Sequence, residues 1–235
     1  MLGIFVVGLI GLLSGSLNAW AYQSEHYGLV LIIIAVTSVN VTHCAIVHSW
    51  TKKLQLWFLF GFSFYATSLF WVNDYLSYEY DDANWVRLGL WPLLICLLAS
   101  SYVIIPVLTA RLSSFQFLLV LPFVLLLLDI IREQTQFSIS WLIPGFLFND
   151  IDFSGWLSVV GALGGSLFVY IISSFISYIL MFFKYSFKAL INLVLFMLFI
   201  FSTNQLLIIW NNVYFASTDN LSARLIHGSF SASEN

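Results

Sequence analysis

The sequence contains very few charged residues. Only 8% of its 235 residues are Asp, Glu, Lys or Arg, whereas charged residues make up about 25% of a typical soluble domain. A water-soluble fold of this length is therefore excluded, because too little polar surface remains to cover the 61% of residues that are hydrophobic. With Lys and Arg totalling 8 and a net charge of −3, the chain offers no basic patch for nucleic acid.

Cysteines and basic N-terminal residues are also scarce. The cysteines, Cys44 and Cys96, both lie within apolar segments, and we expect them to be buried as small hydrophobic side chains. No Lys or Arg precedes the first apolar segment, so the N-terminus lacks the basic region of a secretory signal peptide. We therefore interpret this segment as a retained first span.

Long apolar segments are abundant. A helix needs about 20 apolar residues to cross the hydrocarbon layer. The segments that meet this requirement are residues 2–20, 27–48, 54–76, 86–109, 114–132, 155–182 and 188–211. Backbone polar groups in hydrocarbon must pair within the chain, so these segments are predicted to be helices. The sequence thus predicts an all-α polytopic membrane helix bundle with about seven transmembrane helices over residues 1–212, followed by a short extramembrane C-terminal tail over residues 213–235.

The distribution of basic residues predicts an orientation for this bundle. One side of the membrane would hold Lys52, Lys53, Arg111, Lys184 and Lys188, and the other side would hold Arg87, Arg132 and Arg224. Lys and Arg are enriched in cytoplasmic connections, so the first side is predicted to be cytoplasmic. The N-terminus is then cytoplasmic and the C-terminal tail lies outside.

Small residues recur at helical spacing in two segments. Gly11 and Gly15 are four residues apart, and Gly161, Gly164 and Gly165 form a second group. Such residues let two transmembrane helices approach closely, so we predict that both groups lie at helix contacts.

An acidic and a basic residue occur close together at the end of the fifth span. Asp129 and Arg132 are three apart and can meet on one helix face. They are predicted to form an ion pair, or to hold either residues 133–154 or a lipid headgroup. Residues 133–154 are too apolar for a free loop, and we expect them to dip back to the membrane surface.

No metal site, cofactor site or complete active site is predicted. His43 and His48 are five residues apart, which places them about 140° apart around a helix, so they are poor joint ligands. The sequence also contains no nucleophile elbow, zinc motif or phosphate loop.

Several segments, in order, resemble the apolipoprotein N-acyltransferases. The run from Leu59 to Val72 resembles the third span of that family, a glycine- and aromatic-rich helix that ends in a Trp-Val or Trp-Ile pair. The run from Asp129 to Arg132 is similar to the family's Glu-x-x-Arg, and Trp141-Leu142 is similar to the end of its Gly-Phe-Pro-Trp-Leu segment. Gly155-Trp156-Leu157 resembles the start of the sixth span. The run from Ala223 to Gly228 resembles the first strand of the nitrilase-like catalytic domain.

The resemblance implies a bacterial inner-membrane protein that takes part in lipoprotein maturation. In that family an acyl chain passes from a phospholipid to the N-terminal amine of a lipoprotein, through a thioester on a nucleophilic Cys. A Glu acts as general base and a Lys stabilises the oxyanion, and all three lie in the nitrilase-like domain. We assign no catalytic residue in these 235 residues, because Cys44 and Cys96 would remain thiols in apolar surroundings. The chain alone is therefore expected to be inactive.

The resemblance also implies which residues and partners take part. Trp71, Arg132 and Trp141 are the candidate substrate-binding residues at the outer rim, although interfacial anchoring also explains tryptophans at such positions. The expected partners are membrane phospholipid and either a lipoprotein substrate or a separate nitrilase-like catalytic chain. The alternative is a non-enzymatic membrane subunit that uses the same bundle to bind a lipid or a partner.

Overall fold

The computed structural model describes residues 2–24, 27–79, 84–134, 139–150, 154–182 and 187–215. The α-helices are α1 (Leu2–Ala21), α2 (Gly28–Val41), α3 (Trp50–Ser68), α4 (Phe70–Glu79), α5 (Asn84–Ser100), α6 (Ile104–Leu108), α7 (Ser114–Gln134), α8 (Ser154–Phe182) and α9 (Phe187–Phe215). Short 3₁₀ turns span Ser101–Val103, Ser140–Leu142 and Pro144–Asp150, and a π-helical turn spans Thr42–Ile46. No strand occurs in these ranges. The all-α helix bundle is therefore confirmed, while the predicted strand at 223–228 lies outside the described residues.

The number of membrane spans agrees approximately with the predicted seven. Within the described ranges, five helices are long and apolar enough to cross a membrane, and the bent pair α3–α4 raises the count to six. The predicted span 188–211 falls within α9, whose apolar stretch Val194–Trp210 is shorter than the others. The chain is thus a multi-pass membrane protein.

The third predicted span is not one straight helix. It divides at Leu69 into α3 and α4, whose axes differ by 53°. Helical bonding is interrupted there, and the Leu69 carbonyl instead accepts hydrogen bonds from Val72 N at 3.0 Å and from Trp91 Nε1 at 3.1 Å. Trp91 lies on α5, so α5 stabilises the bend by donating a second hydrogen bond to this carbonyl.

Glycines allow α1 to pack closely on α3. A Cβ at Gly11 would lie 2.8 Å from the Leu56 carbonyl oxygen, and a Cβ at Gly15 would overlap the carbonyl oxygen of Phe60 and the hydroxyl of Ser63. Backbone therefore lies almost against backbone, which confirms the predicted role of Gly11 and Gly15.

The second glycine group has two different roles. A Cβ at Gly165 would lie 3.0 Å from Gly145 Cα and from a ring carbon of Phe148, so Gly165 does allow close packing. Gly161 instead has a φ of 67° and no atom within 4 Å of a built Cβ. It marks a break inside α8, in a conformation that only glycine adopts readily, so the packing prediction is wrong for Gly161.

A central core joins the helices. α3 packs against α1 and α5, and α8 packs against α2, α7 and α9. The largest fully buried side chains include Trp57, Phe60, Phe64 and Phe117. Core packing therefore holds α3, α7 and α8 together, and the candidate site is built on these helices and the segments beside them.

Candidate functional site

Trp71 and Trp141 form an aromatic pair at the end of the bundle where α7 finishes. Trp71 lies on α4 just after the bend, and Trp141 lies in the turn Ser140–Leu142. Their ring centroids are 6.4 Å apart with an interplanar angle of 52°. Both rings are about half exposed, at 53% and 51%. The pair therefore presents aromatic surface outward while each ring supports the other.

Tyr22 fastens the turn that carries Trp141. Tyr22 follows the last residue of α1, and its hydroxyl donates a hydrogen bond to the Leu142 carbonyl oxygen at 3.0 Å. Desolvation by burial raises the pKa of Tyr22 well above its ordinary value, against a smaller lowering effect of Arg132. The hydroxyl thus keeps its proton and remains a donor at physiological pH.

Asp129 and Arg132 form a buried ion pair beneath this turn. Arg132 Nη2 donates to Asp129 Oδ1, and the hydroxyl of Tyr170 on α8 donates to Asp129 Oδ2 at 2.8 Å. The guanidinium carbon of Arg132 lies 5.9 Å from the centroid of the Phe64 ring on α3. The predicted ion pair is confirmed, and it links α7 to both α8 and α3.

Ser166 attaches the following turn to α8. The backbone N–H of Gly145 donates to Ser166 Oγ at 3.0 Å, and Ser166 Oγ donates to the carbonyl of Ala162 at 3.2 Å. A Cβ at Gly145 would overlap the Ala162 backbone. The segment 139–150 therefore folds back onto the bundle, with Leu142 and Leu147 buried. The expected return of residues 133–154 to the membrane surface stays a prediction.

The structure brings together two of the three predicted site residues. Trp71 and Trp141 are in contact, whereas Arg132 is buried and faces Asp129 and the core. Arg132 contacts Asp129 and the Phe64 ring of α3, so it helps to hold this end of α7 against α3. Its predicted contact with substrate remains a prediction.

Sequence reasoning missed a second buried polar contact at the opposite end of the bundle. Trp57 Nε1 donates to His43 Nδ1 at 3.0 Å, and the His43 ring stacks on Phe117 with centroids 4.0 Å apart. His43 lies in the π-helical turn Thr42–Ile46, and no pattern of apolar residues signals such a turn. Within the described ranges, no group of three His, Cys, Asp or Glu side chains is placed to hold a metal ion.

The cysteines are not placed as an active site. Both are free; Cys44 is half-buried and Cys96 is exposed on α5. The prediction that both are buried is therefore wrong for Cys96, because a helix surface that faces lipid needs no protein cover.

A family model described as the apolipoprotein N-acyltransferase N-terminal domain matches residues 14–175. The chain belongs to this family. The match includes Trp71, Asp129, Arg132 and Trp141, and it extends from α1 into α8, so it covers every element that builds the site. No curated protein matches the sequence. The chain is thus an apolipoprotein N-acyltransferase-like membrane domain.

Proposed function

We propose that this chain is the membrane part of a bacterial inner-membrane system that transfers an acyl chain from phospholipid to a lipoprotein. The family match supports this proposal. The observation that carries it further is the contact between Trp71 and Trp141, which places exposed aromatic rings from two distant segments side by side. Paired tryptophans at a bundle end suit the interface, where one part of each ring meets lipid and another meets water.

The bundle contributes positioning in this proposal. The Trp71–Trp141 pair contacts lipid substrates that enter sideways from the bilayer, and the Asp129–Arg132 pair keeps the Trp141 segment in place. The N-terminus is cytoplasmic, and the C-terminal tail and the tryptophan pair face the periplasm, in accordance with the distribution of basic residues.

We assign the reacting groups to a nitrilase-like domain outside these 235 residues. Cys44 and Cys96 both lie on apolar membrane helices, and apolar surroundings disfavour the thiolate that a nucleophilic cysteine needs. A polypeptide of these 235 residues is therefore inactive alone in this proposal, and its partners are membrane phospholipid, the lipoprotein substrate and the catalytic domain.

Complementation of an acyltransferase-depleted bacterial strain tests this proposal. The chain is expressed alone, and then together with a nitrilase-like domain of the same family as a separate polypeptide. Growth only with both supports the proposal, whereas growth with the chain alone contradicts the assignment of the reacting groups elsewhere. Absence of growth in both cases, with both proteins present in the membrane, favours the alternative of a non-enzymatic subunit that binds a lipid or a partner.

The same strain tests the tryptophan pair. Trp71→Leu and Trp141→Leu should each reduce growth when the catalytic domain is present. Trp20→Leu is the matched control, because Trp20 is 61% exposed and lies at the end of α1. Equal growth of all three variants would contradict a substrate-contacting role for the pair.

A further inference from the structure

A groove lies between α7 and α8 at the opposite end of the bundle from the tryptophan pair. Its volume is about 410 Å³, and its walls include Phe115, Pro122 and Phe123 from α7 and Ile171 and Phe175 from α8. Phe115 and Phe123 are 48% and 58% exposed, so the groove opens away from the protein core. Because the surrounding helices are apolar enough to cross a membrane, this opening faces hydrocarbon.

One serine in the groove differs from the other buried serines of α8. Ser166, Ser173 and Ser177 each donate to the carbonyl four residues earlier, at 3.2, 2.8 and 2.7 Å. That bond is the usual way for a serine inside a membrane helix to satisfy its hydroxyl. Ser174 lines the groove, is 5% exposed, and its hydroxyl has no hydrogen-bond partner among the described residues.

An unpaired hydroxyl in hydrocarbon is unfavourable. Burial of a hydroxyl without a hydrogen bond costs roughly 1–3 kcal/mol in proteins, and lipid tails offer no acceptor. Ser174 therefore indicates a ligand that brings a polar acceptor to the level of its hydroxyl and an apolar body to the remainder of the groove.

The depth of Ser174 indicates which acceptor this is. Phe115, at the start of α7, lies beside Tyr178, with ring centroids 5.6 Å apart. This contact places Tyr178 near the membrane interface, since α7 begins at Ser114. Ser174 is one helical turn further along, about 6 Å deeper. In a bilayer the ester groups of phospholipids lie at this boundary between headgroups and hydrocarbon.

A basic side chain lies at the same end. Arg111 is exposed in the connection that precedes α7, three residues before its first residue. An exposed guanidinium at a membrane surface attracts the phosphate of an anionic lipid. Arg111, Ser174 and the deeper groove residues Ile171 and Phe123 thus follow one another in the order of a phospholipid's phosphate, ester and acyl chain.

We propose that the α7–α8 groove binds one phospholipid of the leaflet on the Arg111 side, with an acyl chain along the groove and its ester carbonyl accepting a hydrogen bond from Ser174. In the orientation given above this is the cytoplasmic leaflet. The bound lipid is therefore not the acyl donor at the tryptophan pair. It fills the space between α7 and α8, and α7 also carries Asp129 and Arg132.

Photocrosslinking of lipid to a polypeptide of these 235 residues tests this site. The protein is placed in nanodiscs of phosphatidylethanolamine and phosphatidylglycerol that contain a phosphatidylglycerol with a diazirine in its acyl chain. Crosslinked peptides are quantified by mass spectrometry. Crosslinks are expected in Phe115–Phe123 and Ile171–Tyr178, and they should exceed those on the exposed face that carries Leu180.

Two pairs of variants distinguish a specific lipid-binding site from general contact with the bilayer. Ile171→Trp fills the groove and should reduce these crosslinks severalfold, whereas Leu180→Trp on the same helix, at a side chain that is 60% exposed, should not. Ser174→Ala should reduce them about threefold, as expected for one hydrogen bond in a membrane. Ser173→Ala is its matched control, because Ser173 is bonded within α8 and lies outside the groove.

The crosslinking experiment measures lipid binding, so its result does not depend on acyl transfer. Crosslinking that is equal in Ser174→Ala and Ser173→Ala, or undiminished in Ile171→Trp, would overturn the proposal. If Ile171→Trp fails to fold, Leu119→Trp tests the opposite wall, because Leu119 is 56% exposed and tolerates a larger side chain. Arg111→Gln should remove a preference for phosphatidylglycerol over phosphatidylcholine, and retention of that preference would also contradict the proposed lipid position.

Discussion

The rings of Trp71 and Trp141 lie 6.4 Å apart, although one follows the bend between α3 and α4 and the other lies in the turn Ser140–Leu142. Neither segment positions its tryptophan alone. The bend depends on Trp91, which donates to the Leu69 carbonyl, and the turn depends on Tyr22, which donates to the Leu142 carbonyl. The contact between the two rings therefore depends on the packing of the whole end of the bundle.

The first prediction concerns the coupling between these two rings. Aromatic pairs contribute about 0.5–1.5 kcal/mol beyond their buried area, and half-exposed rings should lie at the lower end. A double-mutant cycle of Trp71→Leu and Trp141→Leu, measured by unfolding in mixed detergent and SDS, should give a coupling free energy of about 0.5 kcal/mol. The cycle of Trp20→Leu with Trp141→Leu should give none. Equal values for both cycles would show that the ring contact contributes nothing.

The second prediction concerns the buried ion pair. Asp129→Asn or Arg132→Met leaves a buried charge without its counter-charge, and each should lower the free energy of unfolding by about 3–5 kcal/mol. The double variant Asp129→Asn with Arg132→Met should lose less than the sum of the two single losses, since no unpaired charge remains. Glu133→Gln, next to the pair in sequence, is the control and should change little.

The variant Tyr170→Phe helps to distinguish a role of Arg132 in stability from a role of Arg132 in substrate binding. Tyr170→Phe removes the hydrogen bond to Asp129 Oδ2 and should lower the free energy of unfolding by about 1.5–3 kcal/mol, as for other hydrogen bonds to charged groups. If Arg132 is a positioning residue, Tyr170→Phe and Arg132→Lys should reduce growth in the complementation strain in proportion to their losses of stability. A large loss of growth in Arg132→Lys without loss of stability would instead indicate direct contact with substrate.

The third prediction concerns the contact between α1 and α3. Gly15→Ala places a methyl group against the Phe60 carbonyl and the Ser63 hydroxyl, and it should lower the free energy of unfolding by about 1–3 kcal/mol because packed helices must move apart. Gly89→Ala is the matched control, because nothing lies within 4 Å of a Cβ there. This control should be neutral or stabilising by up to about 1 kcal/mol.

Apolar length and glycine spacing predicted most of the helices and a close helix contact at Gly11 and Gly15, although not that α3 is the partner. The requirement that backbone groups pair in hydrocarbon makes each long apolar segment a helix, and Gly11 and Gly15 mark where two such helices touch. The break at Leu69 could not be predicted in the same way, because it depends on a hydrogen bond from Trp91 on another helix. Ser174 resembles Ser173 in sequence, and only the hydrogen bonds of the folded helix distinguish them.

In the candidate site, the sequence likewise predicts contacts within one helix but not contacts between helices. Asp129 and Arg132 are close in sequence, so their ion pair follows from helix geometry. Tyr22 and Tyr170, which fasten the site, lie on other helices and carry no local signal. The contact of Trp71 with Trp141 likewise depends on the fold, although the family resemblance points to each residue separately.

The fourth prediction concerns the tautomer and stability of His43. Since Nδ1 accepts a hydrogen bond from Trp57 Nε1, the ring proton of neutral His43 must lie on Nε2. Nitrogen chemical shifts of labelled histidine should show this tautomer in the intact protein. Trp57→Phe leaves the buried Nδ1 without its donor and should lower the free energy of unfolding by about 1–3 kcal/mol. Trp50→Phe, at a 41% exposed side chain, is the control. Nδ1-protonated His43 would contradict the contact.

The last prediction concerns orientation, which decides which leaflet each site meets. In a chain with Cys44 and Cys96 replaced by alanine, Ser231→Cys in the C-terminal tail should react with an impermeant thiol reagent in intact cells, because the excess of basic residues lies on the opposite side. Ser113→Cys, exposed in the connection before α7, should react only after the membrane is opened. Reversal of this pattern would place the tryptophan pair in the cytoplasm. The α7–α8 groove would then face the outer leaflet, and the lipid proposed for it would come from that side, with the contact to Ser174 unchanged.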